Sequence, residues 1–193
     1  MRVNRTFGKM RVKLREAEES DVAKIADLRS KVAQTLTASF GTGHWSGVGT
    51  EKGVRLDMKN SRVFMAHHKG RLIATLRLAT KKPWAIDPAY FTASKRPLYL
   101  LSMAVAPELQ RQGIGRQCME QVMEIARTWP ADAIRLDAYD GPAGAGMFYA
   151  KCGLRNVGKA VYRGCPLLYF ERLIPDASGF PVKTTRNRGL GRT

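Results

Sequence analysis

The stretch SMAVAPELQRQGIGRQCMEQ, residues 102–121, decides the fold, because a buried strand ends in it and a helix begins in it. Pro107 closes the apolar run, and Gly113 and Gly115 stand at the expected start of the helix. The first turn of a helix has backbone N–H groups without intrahelical partners, and the helix dipole adds positive charge there. Together with Arg111 and Arg116, these groups predict a binding site for a diphosphate.

The glycine spacing excludes two common phosphate-binding motifs. Gln112 precedes Gly113 and Cys118 stands three residues after Gly115, so the G-x-G-x-x-G dinucleotide fingerprint is absent. The Gly-Lys-Ser/Thr sequence of nucleoside triphosphatases is absent as well. The two glycines by themselves are equally consistent with a tight turn between a strand and a helix that binds nothing.

The sequence after residue 97 predicts alternating strands and helices. Residues 98–105 (LYLLSMAV) form a nearly continuous apolar run, which is typical of a central strand. Apolar side chains at helical spacing follow in residues 113–128. The remaining predictions are a strand at 133–139, a short helix at 143–152 and two closing strands within 155–173.

The first half of the chain predicts a strand, two helices and a hairpin. Residues 11–17 alternate apolar and polar, and Ser20 and Asp21 then offer a cap for a helix with apolar positions from Val22 to Leu36. The further predictions are a glycine-rich irregular stretch at 38–50, a short helix at 51–59, a β-hairpin at 62–79 and a long loop at 80–97. This order indicates an α/β or α+β sheet with helical cover.

Two motifs resemble the GNAT superfamily of acetyl-CoA-dependent N-acetyltransferases. V-A-P-E-L-Q-R-Q-G-I-G-R, residues 105–116, matches every specified position of the family's motif V-x-P-x-x-[QR]-x-x-G-x-[GA]. F-Y-A-K-C-G-L, residues 148–154, resembles the second signature, F-Y-x-K-x-G-[FL]. The resemblance covers roughly residues 10–174. It implies a single domain with a mixed, mostly antiparallel sheet of six to seven strands, a splay between strands 4 and 5, and helices on both faces.

The resemblance also implies a site for acetyl-CoA as co-substrate. The pantetheine arm would lie in the splay and pair with backbone groups at Met103, Ala104 and Val105, because such β-like pairing uses the main chain. A backbone N–H near Val105 would polarise the thioester carbonyl. The pyrophosphate would rest on the turn and helix start formed by Gln110, Arg111, Gln112, Gly113, Ile114, Gly115 and Arg116.

Tyr149 matches the position that serves as general acid in many GNAT enzymes. A phenol is protonated at neutral pH, so it suits the protonation of a leaving thiolate. The alternative interpretation is that Phe148 and Tyr149 are core aromatics and that the phenol oxygen is hydrogen-bonded.

The general base stays open at the level of sequence. An alkylamine arrives protonated, so it must lose a proton before it attacks the thioester. The candidates are Asp87, Asp137, Asp140, His67 and His68. Each of them is also consistent with a solvated or capping role.

One position departs from the family pattern. Seven residues before the tyrosine, many members have an asparagine that contacts the pantetheine arm, and this chain has Pro142. We interpret Pro142 as the first residue of a helix, where a missing N–H does no harm. Cys152 has no neighbouring histidine in the sequence and is interpreted as a packed thiol.

The net charge of +17 is concentrated in part at the chain ends. Residues 1–15 contain six basic side chains and residues 181–193 contain four, and neither segment contains an acid. We therefore expect a basic extension at 1–9, an N-acetyltransferase domain at 10–175 and a basic tail at 176–193. Because no stacking aromatics interleave these charges, solvated ends are a simpler interpretation than RNA binding.

Composition argues against several classes of protein. No run approaches about twenty apolar residues, and no apolar block follows the basic residues of MRVNRTFGKM. We therefore expect a soluble, cytoplasmic protein without a membrane partner. The three cysteines are an odd number without metal-ligand spacing, so neither a disulfide framework nor a metal site is expected. A homodimer is compatible with the sequence, but no residue supports it.

The sequence leaves three functions open. The first is direct transfer of acetyl from acetyl-CoA to a primary amine in a ternary complex, with Tyr149 as general acid. The second is an RNA-directed acetyltransferase of the aminoacyl-tRNA type, and the third is a non-catalytic acyl-CoA-binding module. The loops matching 36–60 and 80–97 are expected to select the acceptor. The aromatic residues of these loops are compatible with an apolar or aromatic amine, but aromatic residues in loops more often pack. None of them indicates a specific pocket: His44, Trp45, Trp84 and Tyr90.

Overall fold

The computed structural model of the protein describes residues 11–175. The predicted extensions at 1–9 and 176–193 lie outside the described residues. The strands are β1 Leu14–Glu16, β2 Arg62–His68, β3 Arg71–Ala79, β4 Pro97–Val105, β5 Ala133–Tyr139, β6 Arg155–Tyr162 and β7 Cys165–Leu173. The α-helices are α1 Val22–Phe40, α2 Glu51–Asn60, α3 Ile114–Thr128 and α4 Gly146–Lys151. Within this described part, no helix is both long and apolar enough to cross a membrane.

The strands form one mixed seven-stranded sheet in the order β1-β2-β3-β4-β5-β7-β6. Every neighbouring pair is antiparallel except β4 and β5, which run parallel. These two strands pair only at Pro97–Tyr99 with Ala133–Arg135, although β4 continues to Val105 and β5 to Tyr139. They therefore part in the middle of the sheet. The predicted mixed sheet and the splay between strands 4 and 5 are confirmed.

Helices cover both faces of the sheet, as predicted. On one face α3 and α4 pack on alternate apolar residues of the strands, in a core that includes Val122 and Leu136. On the other face α1 and α2 pack on β2 through residues such as Ile25 and Met65. A third apolar cluster lies on this second face, where the segment between β3 and β4 covers β7 around Tyr169. The second face is therefore covered by helices at one end and by a loop at the other.

An extra residue in β4 reverses the alternation of its side chains at the point where the splay opens. Between Leu101 and Ala104, β4 contains one residue more than the facing part of β3. Ser102 has a left-handed φ of 48° within this bulge. Because of the extra residue, Met103 and Val105 pack against the same core as the apolar residues before the bulge. The sequence pattern did not predict this bulge.

Strand β1 is shorter than the predicted 11–17. It pairs only with β2, over Leu14–Glu16. The backbone N–H of Val12 donates instead to the side-chain oxygen of Gln117 at 2.9 Å, and that of Leu14 donates to Gln121 at 2.8 Å. Side chains of α3 thus satisfy this part of the backbone in place of a strand ladder.

Two helix boundaries also differ from the prediction. Helix α1 continues to Phe40, into the stretch predicted as irregular, and ends at Gly41, whose φ is 78°. The left-handed conformation at this glycine is a common helix stop. Helix α4 begins at Gly146 rather than at residue 143. The hairpin, α2, β4, α3 and β5 agree with the prediction to within one residue.

A buried ion pair holds the segment between β3 and β4 onto the sheet. Arg135 on β5 donates from Nε to Glu171 on β7 at 3.1 Å, and their side chains are only 5% and 1% exposed. Both also bind the backbone of Thr92, which donates its N–H to Glu171 at 3.2 Å and accepts at its carbonyl from Arg135. Removing either partner would leave an uncompensated buried charge. The predicted loop is therefore a fixed cover.

Asp21 joins the end of β1 to the start of α1. Its carboxylate accepts two hydrogen bonds from the Arg15 guanidinium, at 2.7 and 2.8 Å, and one from the backbone N–H of Glu18 at 3.0 Å. The Asp21 side chain is 4% exposed. The guanidinium lowers the pKa of Asp21 to about 2.

We expect Asp21→Ala to lower the free energy of unfolding by about 1–2 kcal/mol at pH 7, because a buried carboxylate with three donors is lost. Since the folded pKa lies below the unfolded value near 4, this contribution is complete above pH 4 and is lost as the pH falls toward 2. Urea unfolding at several pH values measures both effects. The control is Asp27→Ala, in an exposed pair with Lys31, which should change stability by less than about 0.5 kcal/mol. Equal losses in the two variants at pH 7 would contradict the prediction.

Candidate active site

The splay exposes one edge of β4. From Leu100 to Val105, this strand has no partner on the side of β5. Peptide groups on such an edge can bind an extended, amide-bearing ligand by strand-like pairing. The three residues predicted to pair with the pantetheine arm, Met103, Ala104 and Val105, lie on this edge. The Val105 carbonyl also accepts a hydrogen bond from Nε2 of Gln110 at 3.2 Å.

The start of α3 lies beyond the end of this edge. Gly113 precedes the helix with a left-handed φ of 83°, and a Cβ atom there would meet nothing within 4 Å. The conformation, and not crowding, therefore requires glycine at this position. The backbone N–H groups of residues 111–116 donate to no residue in the range 11–175. The structure thus brings together free amides and a glycine turn, as the sequence predicted.

Gly115 has a packing role that the sequence did not reveal. A Cβ atom at Gly115 would lie 3.0 Å from Cζ of Phe148 and 3.6 Å from the Met103 methyl group. The missing side chain therefore lets α4 dock directly against the first turn of α3. This close approach places Tyr149, the neighbour of Phe148, near the helix start and the open strand edge.

The polar side chains around the helix start are only partly engaged. Gln112 donates from Nε2 to the Glu108 carbonyl at 3.1 Å. Arg116 pairs with Glu120 at 3.3 Å, but both side chains are more than 60% exposed, so this pair is weak. Arg111 forms no ion pair within the described part of the chain, and its φ is 59°. Two guanidinium groups are therefore available near the free amides.

Tyr149 is a core residue whose hydroxyl forms no hydrogen bond within the described part of the chain. Its ring packs against Phe148 and Phe170, with centroid separations of 5.1 and 6.0 Å. Burial raises the pKa of Tyr149, and the nearby Asp137 carboxylate raises it further. The hydroxyl has no hydrogen-bond partner among residues 11–175, whereas buried tyrosines usually have one. Tyr149 is therefore a core aromatic, and its role as general acid stays a prediction.

Asp137 lies on the splayed part of β5. Its neighbours Leu136 and Ala138 pack into the core under α3, so its carboxylate points to the opposite face of the sheet. Tyr169 on β7 is its cross-strand partner. Burial raises the pKa of Asp137 and the nearby His44 lowers it, and the carboxylate forms no hydrogen bond with a side chain of the described residues. Asp137 thus lies on one face of the splayed part of β5, and Tyr149 lies in the core on the opposite face.

The other four candidate bases do not meet at this gap. Asp87 caps a short turn by accepting a backbone N–H at 2.9 Å. Asp140 pairs with a lysine of β6 at 2.9 Å. His67 and His68 lie at the end of β2, which is two strands away from β4. Of the five candidates, the structure brings only Asp137 to the splayed strand on the face opposite α3.

An aromatic cluster stands at the end of β5 on the same face as Asp137. His44 and Trp45, from the connection between α1 and α2, pack on Tyr139 with centroid separations of 4.8 and 5.0 Å. The Sγ atom of Cys165 lies 3.3 Å from Nδ1 of His44, and burial lowers the pKa of that histidine. A Cβ atom at Gly141 would lie 2.5 Å from the Tyr139 ring, so glycine is needed beside it.

Pro142 is not the first residue of α4, so that interpretation was wrong. It stands in a turn in which the Gly144 N–H donates to the Gly141 carbonyl at 2.8 Å. A Cβ atom at Gly144 would lie 1.9 Å from the Tyr139 carbonyl oxygen. The chain must therefore fold back tightly onto the end of β5 before a helix can begin.

Sequence reasoning missed three features of this region. They are the bulge at Ser102, the cluster around Tyr139, and the buried pair of Arg135 and Glu171. A signal for the pair exists, since both charged residues stand inside mostly apolar strands. The other two depend on contacts between segments far apart in the chain.

Comparison with known proteins agrees with this geometry. Residues 32–154 match the model of the acetyltransferase (GNAT) family. No protein of curated function matches the sequence significantly. The fold is similar to that of a GNAT-family acetyltransferase from Listeria monocytogenes, with 18% identity and a TM-score of 0.67 over 84% of this chain and 95% of that one.

Two further solved structures share the fold. The ribosomal-protein-S18-alanine N-acetyltransferase of Escherichia coli has 15% identity and a TM-score of 0.63, over 84% of this chain and 94% of its own. A Bacillus subtilis acetyltransferase in complex with CoA has 16% identity and a TM-score of 0.59, over 84% of this chain and 99% of its own. The matched family segment, the splayed sheet and the glycine turn before α3 lead to one conclusion: the chain belongs to the GNAT family of acetyltransferases and is an acyltransferase.

Proposed function

We propose that the protein transfers an acetyl group from acetyl-CoA to a primary amine by direct attack within a ternary complex. One observation carries this proposal: the sheet opens between β4 and β5, Asp137 lies on one face of the splayed part of β5, and Tyr149 lies in the core on the other face, near enough for the Asp137 carboxylate to raise its pKa. A thioester in that gap would meet an acid on one side and a base on the other. This arrangement favours catalysis over the silent acyl-CoA-binding module.

The residues at the helix start fit the diphosphate of acetyl-CoA. Free backbone N–H groups at 111–116 offer donors without competition, and the macrodipole of α3 favours an anion there. Arg111 and Arg116 supply positive charge. The proposed contacts along the open edge are at Met103, Ala104 and Val105, where the main chain has no strand partner on the side of β5.

We assign the role of general acid to Tyr149. Its raised pKa keeps the phenol protonated through the physiological range. Its hydroxyl has no competing hydrogen bond within the described residues, so it is free to bond a leaving thiolate. Positioning is tight, because α4 is held against α3 at Gly115 and against β7 at Phe170.

We assign the role of general base to Asp137. Its raised pKa makes the carboxylate a better proton acceptor than an exposed aspartate. In the proposed reaction the ammonium loses a proton to Asp137, and the amine nitrogen bonds the acyl carbon. The nitrogen loses its second proton to water as the C–S bond breaks. The thiolate takes the proton of Tyr149. Both residues then exchange protons with water, which regenerates them and releases one proton overall.

Gly113→Ala should weaken acetyl-CoA binding about tenfold, because alanine resists the left-handed turn that presents the amides. Isothermal titration calorimetry measures the Kd. The matched control is Gly70→Ala in the β2–β3 turn, where φ is 76° and the site is equally open. Both variants should lose about 1–2 kcal/mol of stability from the same backbone strain. If both or neither lost affinity, the proposed cofactor site would be wrong.

Tyr149→Phe should lower kcat for acetylation of simple primary amines about 100-fold, with little change in the Kd for acetyl-CoA, since only the proton donor is removed. Release of CoA measures turnover against a panel of amines. Tyr99→Phe, a buried phenol on β4 before the splay, is the control and should keep its rate. If the wild-type protein bound acetyl-CoA and acetylated no amine, the silent-module alternative would replace the proposal.

Asp137→Asn should lower kcat/KM about 100-fold and change its dependence on pH. In the wild type, kcat/KM should rise with pH as the carboxylate ionises, and this rise begins above the usual range of aspartate because burial raises the pKa of Asp137. The variant should lose that limb of the profile. An unchanged profile in the variant would exclude Asp137 as the base.

A further inference from the structure

A cavity of about 500 Å³ lies on the face of the sheet that carries Asp137, outside the gap between β4 and β5. It is enclosed by the segment between β3 and β4 on one side and by β6 and β7 on the other. Its lining includes four aromatic rings, those of Trp84, Tyr90, Tyr162 and Tyr169. Neither the family match nor the proposed transfer reaction assigns a ligand to it.

The walls of this cavity are fixed in place. The Tyr169 hydroxyl donates to the Ala85 carbonyl, and Lys82 donates from Nζ to the Ile86 carbonyl at 2.8 Å. The Tyr90 ring lies so close to Gly158 on β6 that a Cβ atom there would be 2.1 Å from it. The cavity is therefore preorganised, which lowers the cost of binding.

Two of its four aromatic rings are more exposed than structural roles require. Trp84 is 85% exposed and Tyr90 is 41% exposed. The Trp84 ring stacks on no other ring in residues 11–175, and Tyr90 meets only Tyr169, edge to face, at 5.2 Å. Large exposed rings on a rigid wall offer flat faces on which a planar ligand can stack.

Positive charge surrounds these rings. Lys82 lines the cavity, and the guanidinium of Arg163 lies 5.4 Å from the centre of the Tyr162 ring. Lys81 adjoins this rim along the chain and, like Arg163, has no ion pair within the described part. The one carboxylate in the lining, Asp87, already accepts a backbone N–H. The rim therefore favours an anion.

We propose that this cavity binds a nucleotide of a single-stranded nucleic acid. A base would stack on Trp84 and Tyr90, and flanking phosphates would lie near Lys81 and Arg163. Base stacking on aromatic side chains combined with basic residues is the usual chemistry of single-strand recognition. The net charge of +17 favours a polyanion over a small aromatic amine as the occupant.

The cavity also bears on the identity of the acceptor, and this step rests on the proposed function. Tyr169, at the cavity wall, is the direct cross-strand partner of Asp137. Neighbouring strands are about 5 Å apart, so a strand end bound in the cavity lies beside the proposed base. The acceptor amine is then one carried by the nucleic acid.

The test is the binding of a fluorescein-labelled single-stranded RNA of about 12 nucleotides to the full chain, followed by fluorescence anisotropy. Trp84→Ala and Tyr90→Ala should each raise the Kd about tenfold. The matched control is Phe40→Ala, which removes an aromatic ring that is 46% exposed at the end of α1 and should leave the Kd unchanged. Thermal unfolding checks that the variants are folded.

Equal affinities for Trp84→Ala and Phe40→Ala would overturn the proposal, because binding would then come from basic segments elsewhere. The same strand made of DNA tests whether the 2′-hydroxyl contributes, and competition by AMP shows that a base and phosphate suffice for the cavity. Weaker competition by AMP in Trp84→Ala than in the wild type is expected, and equal competition would also overturn the proposal.

Acetylation of a simple amine without RNA separates this inference from the proposed function. The rate of each protein without RNA is its own reference, and RNA should lower the rate of the wild type by a larger factor than it lowers the rate of Trp84→Ala. If RNA bound through Trp84 but no amine were acetylated, the nucleic-acid site would stand and the proposed function would fail. If amines were acetylated and Trp84→Ala bound RNA as tightly as the wild type, the proposed function would stand and the nucleic-acid site would fail.

Discussion

The structure depends on one constraint: two parallel strands at the centre of the sheet pair for three residues and then part. A sheet interior is normally closed by its own hydrogen bonds, so the open edge of β4 must be satisfied by water or by a ligand. The bulge at Ser102 turns β4 so that its side chains continue to fill the core beneath α3 while its edge stays open. The fold therefore lacks hydrogen bonds between β4 and β5 beyond their first three paired residues, and a slot lined by main-chain groups lies between the two strands.

Close contacts of glycine hold the elements around this slot. Gly115 lets Phe148 and α4 approach the first turn of α3, and Gly141 and Gly144 let the chain turn back on Tyr139 at the end of β5. At each of these glycines, a packed ring or the backbone occupies the space that a side chain would take. Steric contacts therefore fix the positions of Tyr149 and of the aromatic cluster. These contacts explain why the short helix α4, which would be unstable alone, has a fixed place.

Tyr149 and Asp137 are both buried, and burial suits each of them to a different proposed role. Burial raises the pKa of both Tyr149 and Asp137, so the phenol is protonated at neutral pH and the carboxylate binds a proton more strongly than an exposed aspartate does. The same face that carries Asp137 holds the rigid aromatic cavity near Tyr169, and the buried pair of Arg135 and Glu171 fixes the cover above it. The segment that this buried pair holds on the sheet therefore also forms a wall of the cavity.

The sequence by itself determined the family, the order of nearly all strands and helices, and the glycine turn before α3, because these follow from local periodicity and from a motif of adjacent residues. It also placed Tyr149, which stands inside a second local motif. Only the tertiary structure showed that Asp137, alone of the five candidate bases, lies on the splayed strand on the face opposite α3, that Pro142 precedes the helix, and that a cavity lies around Trp84. These features arise where residues distant in sequence meet across strands or faces, and sequence spacing carries no record of such distances.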